Sequence, residues 1–322
     1  MQRLHIGRRH LLMAALLFAA AYALAGWLRP DWALEAEFAR LRWLAGAREH
    51  SLDAAGHRWR YVETGRGPLV VLVHGFTGAK ENWLPLMREL RADHRVVAPD
   101  LPGWGESERH AGADYGPVAQ AARLKAFLAA LPHAPGVSTR PALLVGHSMG
   151  GQIVGLLAAR SPEAVGSLVL MDAAGVPFQA NAFGRKVLAG ENPFQVRSRA
   201  DLRRYLHIVF TDPPAVPWPA DRALVQRRQR DAAFEQSVLD RIGRGPEALL
   251  LARELPAIRV PVLLLWCRDD KVIDPSAAAV FAAGLPDSRT VMLDGCGHMP
   301  MMAAPAEVAR VLRMAPKLPP VR

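Results

Sequence analysis

Short, continuous apolar runs alternate with stretches of helical periodicity from residue 58 to residue 293. Such runs are typical of parallel strands that are buried on both faces, and the stretches between them are typical of helices that cover the sheet. The pattern therefore predicts an α/β fold with a mostly parallel sheet. Strands are predicted at Arg58–Glu63, Leu69–Val73, Arg95–Ala98, Ala142–Val145, Ser167–Met171, Val262–Trp266 and Arg289–Leu293, and a helix at Val118–Leu131.

The alternation of strand and helix patterns is interrupted between residues 176 and 255. Arg, Pro and aromatic residues are frequent there, and the patterns are helical. A stretch of this length far exceeds a normal crossover connection, although ordinary connecting helices are the alternative. We therefore expect a helical cap at 176–255, inserted into a catalytic core formed by residues 51–175 and 256–316.

An apolar, uncharged run covers Leu11–Leu28, and Arg3, Arg8 and Arg9 precede it. Its length is near the lower limit for a membrane-spanning helix, and the basic flank predicts that the rest of the chain lies outside the cytoplasm. Residues 1–30 are thus expected to be a membrane anchor. The alternative is a signal segment that is cleaved after Ala25, and both interpretations predict export.

Residues 31–50 are expected to form an amphipathic linker helix, because Leu34, Phe38, Leu41 and Ala45 recur at helical spacing. Two positions for this helix remain open at this point. It lies either in the membrane interface beside the anchor or on the surface of the catalytic core.

The chain of 322 residues carries a formal charge of +10, from 40 Lys and Arg against 30 Asp and Glu. An Arg-rich codon preference and attraction to an anionic membrane surface both account for this charge. Nucleic-acid binding is disfavoured, because the Arg residues are scattered and no nucleic-acid-binding motif accompanies them.

The sequence Gly-His-Ser-Met-Gly-Gly at residues 146–151 directly follows a predicted buried strand and precedes a helical pattern. This context is that of a nucleophile elbow, which predicts Ser148 as the nucleophile. In such a site the backbone amide of Met149 supplies one oxyanion donor, and that of Phe76, after the preceding core strand, supplies the other. His74 is interpreted as a structural residue of that loop.

His298 follows the last predicted strand in a glycine-containing loop and is the predicted general base. Asp270, at the end of the strand before it, is the preferred acid, with Asp269 and Asp172 as alternatives. The chain order Ser, Asp, His is that of α/β hydrolases. A dehalogenase or epoxide hydrolase is disfavoured, because these need a carboxylate at the elbow.

With these motifs in place, the span from Ser51 to Leu312 resembles bacterial family V lipases of the Moraxella and Psychrobacter type and the membrane-anchored monoacylglycerol lipases of animals. The resemblance implies an α/β-hydrolase fold with a mostly parallel eight-stranded sheet. Cys267 stands where the family usually has glycine, and either a Cys267–Cys296 disulfide or two buried free thiols would fit. The matching stretches are His74–Lys80, Asp100–Gly103, Ser148–Gly151, Glu191–Pro193 and Gly295–His298.

The expected function is hydrolysis of carboxylic esters (a carboxylesterase or lipase, EC 3.1.1.-) through an acyl-serine intermediate, on lipid esters such as monoacylglycerols. No metal or organic cofactor and no protein partner is implied. Hydrolysis of soluble small esters or of C–C bonds with the same triad is an alternative, and a catalytically silent, membrane-anchored binding module is another. The residues expected to bind substrate are Phe76, Phe178, Phe183 and Phe210.

Overall fold

The computed structural model describes residues 8–133 and 140–315, so that Arg3 of the basic flank lies outside the described residues. These residues form an eight-stranded sheet in the order β1-β2-β4-β3-β5-β6-β7-β8. β2 pairs antiparallel with β1 and β4, and all other neighbours are parallel. The predicted α/β-hydrolase fold is confirmed. The strands are β1 Arg48–Ala54, β2 His57–Thr64, β3 Leu69–Val73, β4 Arg95–Pro99, β5 Leu143–His147, β6 Ser167–Met171, β7 Val262–Cys267 and β8 Ser288–Leu293.

β1 is the strand that the apolar pattern did not predict. Its sequence, Arg-Glu-His-Ser-Leu-Asp-Ala, leaves most of its side chains at least partly exposed. β1 is an edge strand with one neighbouring strand, and its faces are largely solvent-exposed. Its sequence therefore lacks the apolar run by which the other strands were predicted. The structure therefore begins the sheet at Arg48, which the sequence assigned to the linker helix.

Helices cover both faces of the sheet. The long apolar helix at the N-terminus and the linker helix are separated by two residues, and the linker helix ends at a left-handed Gly46. The helices are α1 Arg8–Leu28, α2 Asp31–Ala45, α3 Leu84–Leu90, α4 Pro117–Ala130, α5 Met149–Arg160, α6 Ala182–Leu188, α7 Arg199–Val209, α8 Ala220–Arg244, α9 Leu250–Glu254, α10 Ser276–Gly284, α11 Pro300–Ala303 and α12 Pro305–Arg313.

The cap consists of α6 to α9 and is inserted between β6 and β7. α2 packs between the cap helix α8 and the core helix α3. Arg227 of α8 forms ion pairs with Asp31 and Glu35 of α2. Arg91, after α3, donates to the carbonyl of Leu44 at 2.9 Å. The linker helix is thus packed on the protein, against both the core and the cap.

Cys267 and Cys296 form a disulfide with a Cα–Cα distance of 5.5 Å. Cys267 ends β7, and Cys296 lies in the loop after β8. Because β7 and β8 are neighbours, the two cysteines meet at the carboxyl end of the sheet. The bond therefore ties the loop that carries His298 to the strand that precedes Asp270.

Replacing both cysteines by alanine should lower the free energy of unfolding by about 3 kcal/mol, because a loop spanning a sequence separation of 29 residues is no longer closed in the unfolded chain. Chemical denaturation of both proteins measures the difference. Adding a reductant should destabilise the parent protein and leave the double variant unchanged. An equal effect of reductant on the two proteins would contradict the prediction.

Candidate active site

Ser148 is the single residue between β5 and α5, and its backbone has φ 55° and ψ −122°. A non-glycine residue in this region is strained by on the order of 1–3 kcal/mol. The strain lets the chain reverse from strand to helix within one residue. The serine thereby sits at the N-terminus of α5, where the helix dipole favours negative charge.

Glycines at the elbow permit backbone contacts that a side chain would block. A Cβ at Gly146 would lie 2.4 Å from the carbonyl oxygen of Gly150, and a Cβ at Gly150 would lie 2.4 Å from that of Val73. A Cβ at Gly75 would lie 2.8 Å from the Cβ of Ser148. These approaches bring the loop after β3 against the elbow.

The two predicted oxyanion donors belong to residues that line one cavity. Within the part of the chain that the structure describes, the backbone amides of Phe76 and Met149 donate to no protein acceptor. Both residues line the same cavity as Ser148. Two unpaired amides beside a serine are able to bind an oxygen that becomes negatively charged.

His74 holds the loop that carries Phe76, as the sequence predicted for a structural residue. Its Nε2 accepts from the amide of Leu101 at 3.0 Å, so that Nδ1 carries the proton and donates to the carbonyl of Gly75 at 2.8 Å. Burial lowers the pKa of His74. The ring therefore stays neutral, which this pair of hydrogen bonds requires.

His298 and Asp270 are joined by a buried hydrogen bond of 2.8 Å between Nδ1 and Oδ2. The other carboxylate oxygen of Asp270 accepts from the amides of Val272 and Ile273, at 2.7 and 3.2 Å. These contacts fix the carboxylate and orient the imidazole, which leaves Nε2 available for a proton. The geometry favours Asp270 as the acid.

Neither of the two alternative acids has a hydrogen bond to His298 among the described residues. Asp269 is exposed. Asp172 is buried and accepts from the amide of Cys267 at 2.9 Å. Burial and the proximity of Asp270 raise the pKa of Asp172 well above its ordinary value. Burial and the nearby carboxyl of Asp270 thus both favour the protonated form of Asp172.

His147 is a residue to which the sequence analysis gave no role. Its Nε2 donates to the backbone carbonyl of His298 at 2.6 Å, and the two rings lie 4.6 Å apart. Burial and the neighbouring His298 hold the pKa of His147 well below its ordinary value. The neutral ring thus supports the loop of His298. The sequence shows His147 within the elbow motif, but it gives no sign of the hydrogen bond to His298, which is 151 residues away.

Lys80 is a second residue without an assigned role. It is fully buried, and its Nζ lies 2.7 Å from Glu106, 2.8 Å from Glu81 and 3.0 Å from Asp100. The Lys80 amide also donates to Asp100 at 2.7 Å. The oxyanion loop is thereby joined to the loop after β4.

Among the described residues, Glu49, Glu81 and Glu106 form a group of three carboxylates that could hold a metal ion. The ammonium of Lys80 already lies within 4.0 Å of an oxygen of each. The position that a cation would take is therefore filled by this side chain.

Ser148 opens onto a cavity of about 580 Å³ between the core and the cap. Three of the residues that the sequence predicts to bind substrate line this cavity, namely Phe76, Phe178 and Phe183. Phe194, which the sequence analysis did not select, lines it as well. Phe210 is not among the lining residues. It directly follows α7 and is buried in the core, with its backbone beside Gly297. Aliphatic residues of α6 and α8 complete the walls, namely Val187, Leu188, Leu239 and Ile242.

The sheet order, the inserted cap and the serine at a strand-to-helix turn define an α/β hydrolase. The family model described as "Alpha/beta hydrolase family" matches residues 70–311. The chain therefore belongs to the alpha/beta hydrolase family.

Three similar proteins are lipid-ester hydrolases by name. Lipase 1 of Psychrobacter immobilis is 31% identical over 262 residues, which cover 80% of each protein. Monoacylglycerol lipase ABHD6 of Homo sapiens is 27% identical, over 77% of this chain and 75% of its own. The crystal structure of a membrane phospholipase A, a bacterial virulence factor, superposes with a TM-score of 0.83 at 36% identity, over 95% of this chain and 97% of the other. The chain is thus a lipase- or esterase-type hydrolase.

Glu81 should make the free energy of unfolding depend on pH. Burial raises its pKa to about 7 from an ordinary 4.5, with Asp100 nearby adding to the shift. Between these two values the folded protein keeps a proton that the unfolded chain releases, so this contribution falls as pH rises from 4.5 to 7 and is constant above.

The Glu81→Gln variant should lack that contribution. The difference in unfolding free energy between parent and variant should therefore change by on the order of 1–3 kcal/mol across this window. Urea denaturation at a series of pH values measures it. A parent-minus-variant difference that is flat in pH, or that grows in favour of the parent as pH rises, would contradict the assignment.

Proposed function

We propose that the protein is a membrane-anchored serine ester hydrolase that cleaves lipid esters, with monoacylglycerols as a substrate class. Ser148 is the nucleophile, His298 the general base and Asp270 the acid that orients it. The amides of Phe76 and Met149 form the oxyanion hole. Phe76, Phe178 and Phe183 contact the acyl chain, and Phe194 adds to this surface.

The reaction proceeds in two halves. The Ser148 oxygen attacks the ester carbonyl carbon while Nε2 of His298 takes its proton, and the amides stabilise the negative carbonyl oxygen. The C–O bond to the alcohol then breaks, and His298 returns the proton to the leaving alkoxide. A water molecule, deprotonated by His298, releases the fatty acid and restores the serine.

The observation that carries the proposal is the cavity at Ser148. Its walls are mostly apolar, and its volume of about 580 Å³ is in the range of small-molecule sites. An ester carbonyl at Ser148 would lie beside the two free amides. An acyl chain would then extend between α6 and α8, where burial of its methylene groups favours binding.

The location proposed for the protein follows from α1. Residues Arg9–Leu28 form a helix of 20 residues that is long and apolar enough to cross a membrane, and 6% of it is buried. In a bacterium this would place the catalytic part in the periplasm, on a single-pass anchor in the inner membrane. Cleavage after Ala25 would instead release it. The mass of the mature protein distinguishes the two outcomes.

Replacing Ser148 by Ala should reduce kcat/KM for p-nitrophenyl esters by at least about 10⁴-fold, because the nucleophile is lost while the fold is kept. Labelling by a fluorophosphonate probe should also disappear. Ser161→Ala is the matched control, since Ser161 lies at the other end of α5. Retained activity in the Ser148 variant would refute the mechanism.

Ile242→Trp should shift the preference of the enzyme towards short acyl chains, because a larger side chain on α8 takes up cavity volume that a long acyl chain needs. We expect at least about a tenfold loss of kcat/KM for long-chain monoacylglycerols, with short-chain esters changed by less. Ile208→Trp on α7 is the control, since Ile208 is half-buried but outside the cavity lining. An equal loss at all chain lengths would contradict the proposed acyl site, and so would hydrolysis of vinylogous diketones in preference to esters.

A further inference from the structure

A cluster of aromatic residues lies at the outer end of the apolar helix α1, and one of its members comes from the cap. The Tyr22 ring lies 5.6 Å from that of Trp32 and 5.3 Å from that of Trp218. The Tyr22 hydroxyl donates to the carbonyl of Trp218 at 3.2 Å. Trp218 also covers Gly26, where a Cβ would lie 2.4 Å from the indole ring. Arg222 of α8 lies 5.7 Å over the ring of Trp27.

The position of these contacts on α1 sets the depth of Trp218 relative to a bilayer. Tyr22 is six residues before the end of α1 at Leu28, which corresponds to about 9 Å along the helix. The interfacial layer on each side of the hydrocarbon core is several ångströms thick, and Trp and Tyr concentrate there. If α1 crosses the membrane with Leu28 at the edge of the hydrocarbon core, the contacts with Tyr22 and Gly26 place Trp218 within about 9 Å of that edge.

Trp218 belongs to a connection between α7 and α8 that suits such a layer. Residues 213–219 read Pro-Pro-Ala-Val-Pro-Trp-Pro and carry no charge, and most of them are at least partly exposed. Four of the seven are prolines, which have no backbone N–H, and only Trp218 has a polar side-chain atom. We call this stretch the 213–219 segment.

A cavity of about 440 Å³ lies directly beside the 213–219 segment. Arg199, Arg203 and His207 of α7 line it opposite Pro213–Val216. Arg199 is paired with Asp221, and Asp212 also lines the cavity. Arg203 is exposed and, among the described residues, has no ion pair or hydrogen bond. Its guanidinium is therefore available to an anion, and phosphate is one of the groups whose geometry matches the guanidinium fork.

We propose that the 213–219 segment is a second membrane contact of this protein, made by the cap, and that the adjoining cavity takes the phosphate of an anionic phospholipid against Arg203. The inference rests on the proposed function insofar as α1 is the membrane anchor. It adds a lipid-binding surface that is separate from the substrate cavity at Ser148. The cap is thereby held at the surface from which its substrate comes.

Fluorescence quenching in the full-length protein tests the contact. Because both native cysteines are in the disulfide, Ala215→Cys introduces the one free thiol for an environment-sensitive dye. The control is Ala282→Cys, at an exposed position of α10, which packs on β7 and β8. Ala15→Cys, at an exposed position in α1, reports on the anchor.

In phosphatidylcholine vesicles that contain phosphatidylglycerol, a nitroxide lipid with a shallow label should quench the dye at residue 215 at least about twofold more than the dye at residue 282. Equal quenching at 215 and 282, with strong quenching at 15, would overturn the membrane contact. Absence of quenching at all three would overturn the anchor and the contact together. Since the Ser148→Ala chain should give the same result, failure of the catalytic proposal is distinguished from failure of this one.

The role of Arg203 is tested by charge removal. Arg203→Gln should abolish the increase in quenching at residue 215 that phosphatidylglycerol causes over phosphatidylcholine alone, whereas Arg230→Gln, an exposed residue outside the cavity lining, should keep it. Equal behaviour of the two variants would overturn the phosphate site. Inorganic phosphate added to phosphatidylcholine vesicles should not reproduce the increase. If it did, a soluble anion rather than a bilayer lipid would be the ligand, and the proposal would be wrong.

Discussion

The close backbone packing around Ser148 is the constraint on which the rest of the site depends. One residue turns the chain from β5 into α5, and glycines at 146, 150 and 75 let three backbone segments touch there. A side chain at any of these positions would push β3, β5 and α5 apart. Since the amides of Phe76 and Met149 belong to two of these segments, the packing also sets the distance between the two oxyanion donors. The strain at Ser148 is tolerated because the surrounding contacts determine its conformation.

Charge is distributed around this turn in a way that favours one ion pair. Burial lowers the pKa of His74 and of His147, which favours their neutral forms, and it raises the pKa of Asp172, which favours the protonated acid. Asp270 is therefore the carboxylate that faces His298 when the imidazole takes a proton. A second ionised carboxylate would compete with Asp270 for the protonated imidazole, and a charged histidine nearby would oppose protonation of His298. The ammonium of Lys80 is paired with Asp100 and Glu106, at 3.0 and 2.7 Å.

The sequence predicted those parts of the protein that local patterns determine. Continuous apolar runs located seven strands, and the motif at residues 146–151 located the elbow, because strand burial and glycine spacing are local properties. β1 was missed, because a polar edge strand has no such pattern. The contributions of His147 and Lys80 were also invisible, since each depends on partners that are distant in sequence or buried only after folding. Aromatic content could not separate Phe194, which lines the cavity, from Phe210, which packs into the core.

α8 extends from the proposed membrane anchor to the substrate cavity. It spans 25 residues, or about 37 Å, from the contact with α1 at its N-terminus to the substrate cavity near Arg244. Because Arg227 binds two carboxylates of α2, and α2 packs on the core helix α3, α8 is not free to swing as a lid without breaking these contacts. Leu188 and Leu249 line the cavity and are 67% and 50% exposed, so the cavity reaches the protein surface at these two residues. In the proposed function, these two residues offer a lipid ester a path to Ser148 that needs no movement of α8.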